Sequence, residues 1–145
     1  MKPLRWEIST CQMNILSVNY IVMFANPGHA LQKIVNNVPV AIAANEFTTV
    51  VATNGGNVYQ TGLLSGKVNS CFKEVFTNEA FVGEIVDVEA TEHKIYLLNK
   101  DGYVFEYTKH GVREVYSPGA CGGDKAVKIS SGRAHLLILT EEGKV

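Results

Sequence analysis

His135 sits between Gly132 and the apolar run 136–139, the one imidazole whose setting invites an acid–base reading. Such chemistry needs a second group within hydrogen-bond reach of the ring. No nucleophile–base pair and no paired carboxylates stand at a spacing that would supply one. His29, His93 and His110 are scattered and show no ligand spacing such as His-x-x-x-His. Cys11, Cys71 and Cys121 lie far apart, with no Cys-x-x-Cys pair. The loop 119–124, GACGGD, lacks the lysine-then-hydroxyl ending of a phosphate-binding loop and reads as a connector. No catalytic residue, metal ligand or cofactor is therefore expected.

The chemistry that remains is recognition. Lys109, His110 and Arg113 form a small basic loop, 109–113, after an aromatic run at 103–107, and Asp124 closes the next loop. Loops held on a stiff scaffold are where binding residues belong, so these four are the candidate partner contacts. A net charge of −1 and a pI near 6.4 give no general pull toward phosphates, and nucleic acid is not an expected partner. Lys2 and Arg5 precede an apolar stretch, 15–24, that loosely resembles a secretory leader, but Asn14, Ser17 and Asn19 interrupt it. No run of about 18 apolar residues is present, so no membrane span is expected. Unpaired cysteines fit a reducing compartment, cytoplasmic or nuclear.

The elements that position these loops come from an internal repeat. Residues 40–58 (VAIAANEFTTVVATNGGNV), 86–104 (VDVEATEHKIYLLNKDGYV) and 127–145 (VKISSGRAHLLILTEEGKV) align without gaps. Each holds a short apolar strand, a polar turn, a β-rich run and a tight turn carrying Gly56, Gly102 or Gly143 two residues before a closing valine. Glycine supplies the positive φ that such hairpins require. A weaker copy overlays Trp6 to Val18 on 127–139, with Ile8 against Ile129. The anchors Ile8, Ile42, Val88 and Ile129 are 34, 46 and 41 residues apart, the period of propeller blades. No Trp-Asp dipeptide marks a WD-type blade, and no Gly-Gly doublet after an apolar strand marks a kelch-type one.

The third copy carries a resemblance. Its apolar pair, small residues, Gly132, His135, apolar run, Thr140, acidic pair, Gly143 and basic Lys144 before Val145 closely resemble the repeat signature of the regulator-of-chromosome-condensation family. Asn45 and Thr91 replace the family's first glycine, and Thr49 and Lys94 are read at the place of His135. Thr61-Gly62 stands for the family's Trp-Gly. The resemblance implies an all-β chain, a partial β-propeller of roughly three to four blades and a fragment of a seven-bladed ring. An open arc capped by a partner and closure by self-association are the other two readings. One domain, 1–145, would hold units at about 6–25 (degenerate), 40–62, 85–107 and 126–145 (truncated). Gly56, Gly102, Gly132, His135 and Gly143 become structural repeat positions.

The implied function is a non-catalytic protein–protein interaction or regulatory scaffold. The alternative is a guanine-nucleotide exchange factor, with a small GTPase as partner. A chromatin-binding ring is less well served, since the near-neutral charge offers no basic tail.

Overall fold

The computed structural model describes residues 39–53, 55–76, 82–120 and 122–145; the degenerate unit at 6–25 lies outside them. Ten strands follow in chain order: β1 (Pro39–Ala44), β2 (Thr48–Thr53), β3 (Val58–Leu64), β4 (Lys67–Phe76), β5 (Ile85–Ala90), β6 (Ile95–Asn99), β7 (Val104–Thr108), β8 (Gly111–Tyr116), β9 (Ala126–Ser131) and β10 (Leu136–Thr140). They form two four-stranded antiparallel meanders, β1–β4 and β5–β8, and a two-stranded beginning, β9–β10. We call these sheets A, B and C. No helix occurs among the described residues.

The repeat is exact at the level of backbone bonds. Asn45, Thr91 and Gly132 each donate their N–H to a carbonyl three residues on (Thr48, Lys94 and His135), at 3.0, 2.9 and 3.0 Å. In the second turns Gly56, Gly102 and Gly143 donate to Thr53, Asn99 and Thr140. All three glycines have φ near +80 to +88°, the left-handed region that side chains disfavour.

The sheets stack through alternating side chains. On β6, Ile95 and Leu97 enter a core with Val50, Ala52, Val58 and Phe76 of sheet A. Their neighbours Tyr96 and Leu98 point the other way, against Ala126 and Ile129 of sheet C. This is why every residue of β6 is buried: a middle strand covered on both faces. The first strands β1, β5 and β9 lie next to one another at one end of the stack, so the sheets converge there like wedges.

Two features depart from the sequence reading. The fourth strands β4 and β8 were not legible as strands. The expected basic loop 109–113 also resolves into a tip at 109–110, with Gly111–Arg113 already inside β8. Charged, exposed outer strands are common edge protection, and they hide strand periodicity.

Candidate functional site

The first turns of the three sheets, at 44–47, 90–93 and 131–134, come together over the inner strand ends. Between them lies a cleft of about 290 Å³, lined by Ala44, Asn45, Glu46 and Phe47 of sheet A, Glu89, Ala90 and Glu92 of sheet B, and Ser131, Gly132 and Arg133 of sheet C.

One carbonyl ties the three sheets together. Ala90 O accepts from Asn45 Nδ2 at 2.9 Å and from Ser131 Oγ at 3.0 Å. Asn45 Oδ1 meanwhile accepts the N–H groups of Phe47 and Thr48, at 2.8 and 2.9 Å. A single side chain thus shapes its own turn and fastens it to the next sheet. Ser131 Oγ also lies 2.8 Å from Glu89 Oε2, which in addition takes the Ser131 N–H at 3.3 Å. Asp87 reaches the Ile129 N–H and pairs with Lys128 at 3.3 Å.

The β3–β4 hairpin clamps the rim from the side. Ser65 Oγ donates to His93 O at 2.8 Å, and its N–H to Glu92 O at 3.1 Å. Ser65 is the one non-glycine residue at positive φ among those described, a strained conformation held by these bonds. Leu63 N–H bonds Phe47 O at 2.8 Å, and a Cβ on Gly62 (φ +94°) would run into that same oxygen. Glycine is required there by close approach.

Side chains at one equivalent turn position, Glu46, Glu92 and Arg133, project at the rim. Arg133 Nε lies 3.8 Å from Glu92 Oε2 across the seam between B and C. Phe47 is half-buried and Glu46 exposed beside it. Among the described residues no group of three or more His, Cys, Asp or Glu converges as metal ligands would.

The candidate contacts read from sequence are spread across other parts of the fold. Lys109 and His110 are exposed at the β7–β8 tip. Arg113 lies on β8 with its Nε 2.9 Å from Glu106 Oε1, while Lys94 Nζ holds Glu106 Oε2 at 2.8 Å. Burial pushes the Glu106 carboxyl up. The hydrogen bonds from Arg113 and Lys94, with their charges, outweigh this and leave it below the ordinary carboxylate range. The same bonds raise Lys94 and Arg113. Burial chiefly raises the Tyr96 phenol nearby.

Asp124 is buried, with Lys144 Nζ 2.8 Å from its Oδ2 in an ion pair. Tyr116 OH donates to Asp124 O at 2.7 Å, so the connector 117–124 is fastened at its end.

His135 covers Gly132, where a Cβ would collide with the imidazole. Strand register makes Thr48, one residue before the expected Thr49, its counterpart in sheet A. Sequence reasoning missed the cleft residues, Glu46, Phe47, Glu89 and Glu92. The common turn position of Glu46 and Glu92 was the available signal.

Four-stranded meanders stacked face to face, with their first strands converging, define a partial β-propeller. Two sheets are complete and a third is begun among the described residues. No protein-family model matches the chain. It is 59% identical over 129 residues to an uncharacterized protein of Acanthamoeba polyphaga mimivirus, covering 85% of this chain and 13% of that protein. The chain thus spans about an eighth of the curated relative it matches. Among solved structures it resembles human WBSCR16, with a TM-score of 0.58 at 13% identity, over 73% of this chain and 33% of that one. That likeness concerns the fold alone.

Proposed function

We propose that the chain belongs to a propeller of the regulator-of-chromosome-condensation type, part of a seven-bladed ring, and acts as a non-catalytic protein-interaction scaffold. The docking face is the rim built from turns 44–47, 90–93 and 131–134. The observation that carries this reading is the Ala90 carbonyl, which fastens turns from both neighbouring sheets. Rigid turns lower the ordering cost of binding, and these turns present carboxylates, a guanidinium and an aromatic ring around a concave surface. The partner is a protein, met in the cytoplasm or nucleus.

A photo-crosslinking amino acid placed at Glu46, and separately at Val115 on outer strand β8, tests the face. A discrete protein adduct from position 46 and none from 115 is expected. Equal labelling from both positions would remove the rim from consideration. Nucleotide-exchange assays with a panel of small GTPases separate the scaffold from an exchange factor: acceleration would replace the scaffold reading.

A further inference from the structure

The cleft between the first turns holds more negative charge than its own residues balance. Glu46, Glu89 and Glu92 line it with a single cation, Arg133. The other cations of the B–C seam are engaged away from it: Lys94 and Arg113 on Glu106, and Lys128 on Asp87. Arg133 meets Glu92 only at 3.8 Å, with its own side chain 78% exposed. Glu89 binds Ser131 through one oxygen, Oε2. The Glu46 carboxylate has no hydrogen bond or ion pair among the described residues. These carboxylates do not converge as ligands of a metal ion would, so the cation that suits them is one with a body.

The walls fit such a body. Phe47 is half-buried and Ala44 and Ala90 lie beside it, an apolar lining for an aliphatic stem. An aromatic face also attracts a cationic head. The volume, about 290 Å³, admits one long side chain and not a whole strand or helix. The cleft lies where the described first turns of three neighbouring sheets meet, so further blades of a ring would lengthen the rim on either side without filling it.

We infer that the cleft takes the cationic side chain of an arginine or lysine, its head among Glu46, Glu89 and Glu92 and its stem against Phe47. The source of that side chain, a basic segment of a protein partner, rests on the scaffold reading. Arg133 is then a resident competitor that a guest displaces from Glu92.

The test titrates the 145-residue chain with end-capped pentapeptides, Gly-Gly-Arg-Gly-Gly, Gly-Gly-Lys-Gly-Gly and Gly-Gly-Glu-Gly-Gly, at low salt, followed by backbone amide NMR. The arginine and lysine peptides should shift the amides of turns 44–47, 90–93 and 131–134 to saturation, and the glutamate peptide should not. Glu46→Gln/Glu92→Gln should weaken arginine-peptide binding roughly tenfold, with unchanged far-UV circular dichroism. Arg133→Ala should strengthen it roughly threefold by removing the competitor, a gain that a merely structural role would not produce. Equal binding of the glutamate peptide, affinity unmoved by these variants, or no saturable shift at the three turns would each overturn the inference. The crosslinks from positions 46 and 115 report separately on the scaffold. A discrete adduct from 46 with no peptide response would remove the cationic guest and leave the docking face standing. Peptide binding with equal labelling from 46 and 115 would remove the docking face and leave the cleft a site for cationic side chains.

Discussion

The two seams of the stack do the same job with different chemistry. Between sheets A and B the contact is a broad apolar core running from Ala43 and Val50 through Ile85, Leu97 and Phe105. Between B and C the apolar cluster is smaller, and polar bonds flank it: Asp87 with Lys128, Glu89 with Ser131, Glu92 with Arg133. In sheet A the inner-strand positions equivalent to Asp87 and Glu89 are Ala41 and Ala43. Stacking therefore depends on backbone shape and a matched anchor, while the rest of a seam can be apolar or charged. Salt screens charge pairs and does not screen apolar burial, so the two seams respond differently to the solvent.

Adjacent leucines on β6 separate the seams most sharply. Leu97 and Leu98 are both 0% exposed and face opposite neighbours. Each Leu→Ala change should cost about 2–5 kcal/mol, with Leu97→Ala the more costly because its cluster is larger. Hydrogen exchange tells them apart: Leu97→Ala should speed exchange in β1–β2, and Leu98→Ala in β9–β10. The opposite pattern would break the assignment of faces.

Next in size is Gly62→Ala, which forces a Cβ onto Phe47 O at a positive φ. A loss of about 1–3 kcal/mol is expected, read from the urea midpoint. Ser131→Ala removes the hydroxyl contacts to Glu89 and Ala90, keeps the backbone bond to Glu89, and should cost about 1 kcal/mol. Lys128→Ala, which breaks the pair with Asp87, should have a smaller effect that shrinks in high salt, while that of Leu97→Ala should not.

The smallest effect is a pH dependence. The Glu106 carboxyl titrates below its ordinary range in the fold. Its stabilising contribution is therefore complete above the unfolded carboxylate value and is lost as pH falls through the folded one. The stability gap between the parent chain and Glu106→Gln should close on acidification. A gap that stays constant would show that the Lys94–Glu106–Arg113 cluster contributes by shape alone.

The partial propeller was legible because hairpin chemistry is local. Glycines two residues before each closing valine announce the second turns, and the aligned apolar anchors set the period. The outer strands were not legible. β8 alternates weakly among Arg113, Glu114 and Val115, and its first three residues passed for a loop. The cleft was hidden for another reason: its central tie is the carbonyl of Ala90, a group every residue possesses. Asn45 and Thr91 looked like departures from a glycine pattern, yet each closes the same turn that Gly132 closes. Asn45 does so by accepting two N–H groups, and Thr91 by its hydroxyl oxygen, which accepts the Lys94 N–H at 3.2 Å. Of the four contacts expected from sequence, Arg113 and Asp124 turned out to be engaged within the fold. Lys109 and His110 stayed at an exposed tip.

The shared main-chain bond across the first turns makes their outward residues replaceable. Since Asn45, Thr91 and Gly132 close the same loop by different means, the position after each is free to change sign, and it already reads Glu, Glu and Arg. Substitution at these three positions therefore changes the charge of the rim one residue at a time, with the packed interior untouched by the edit.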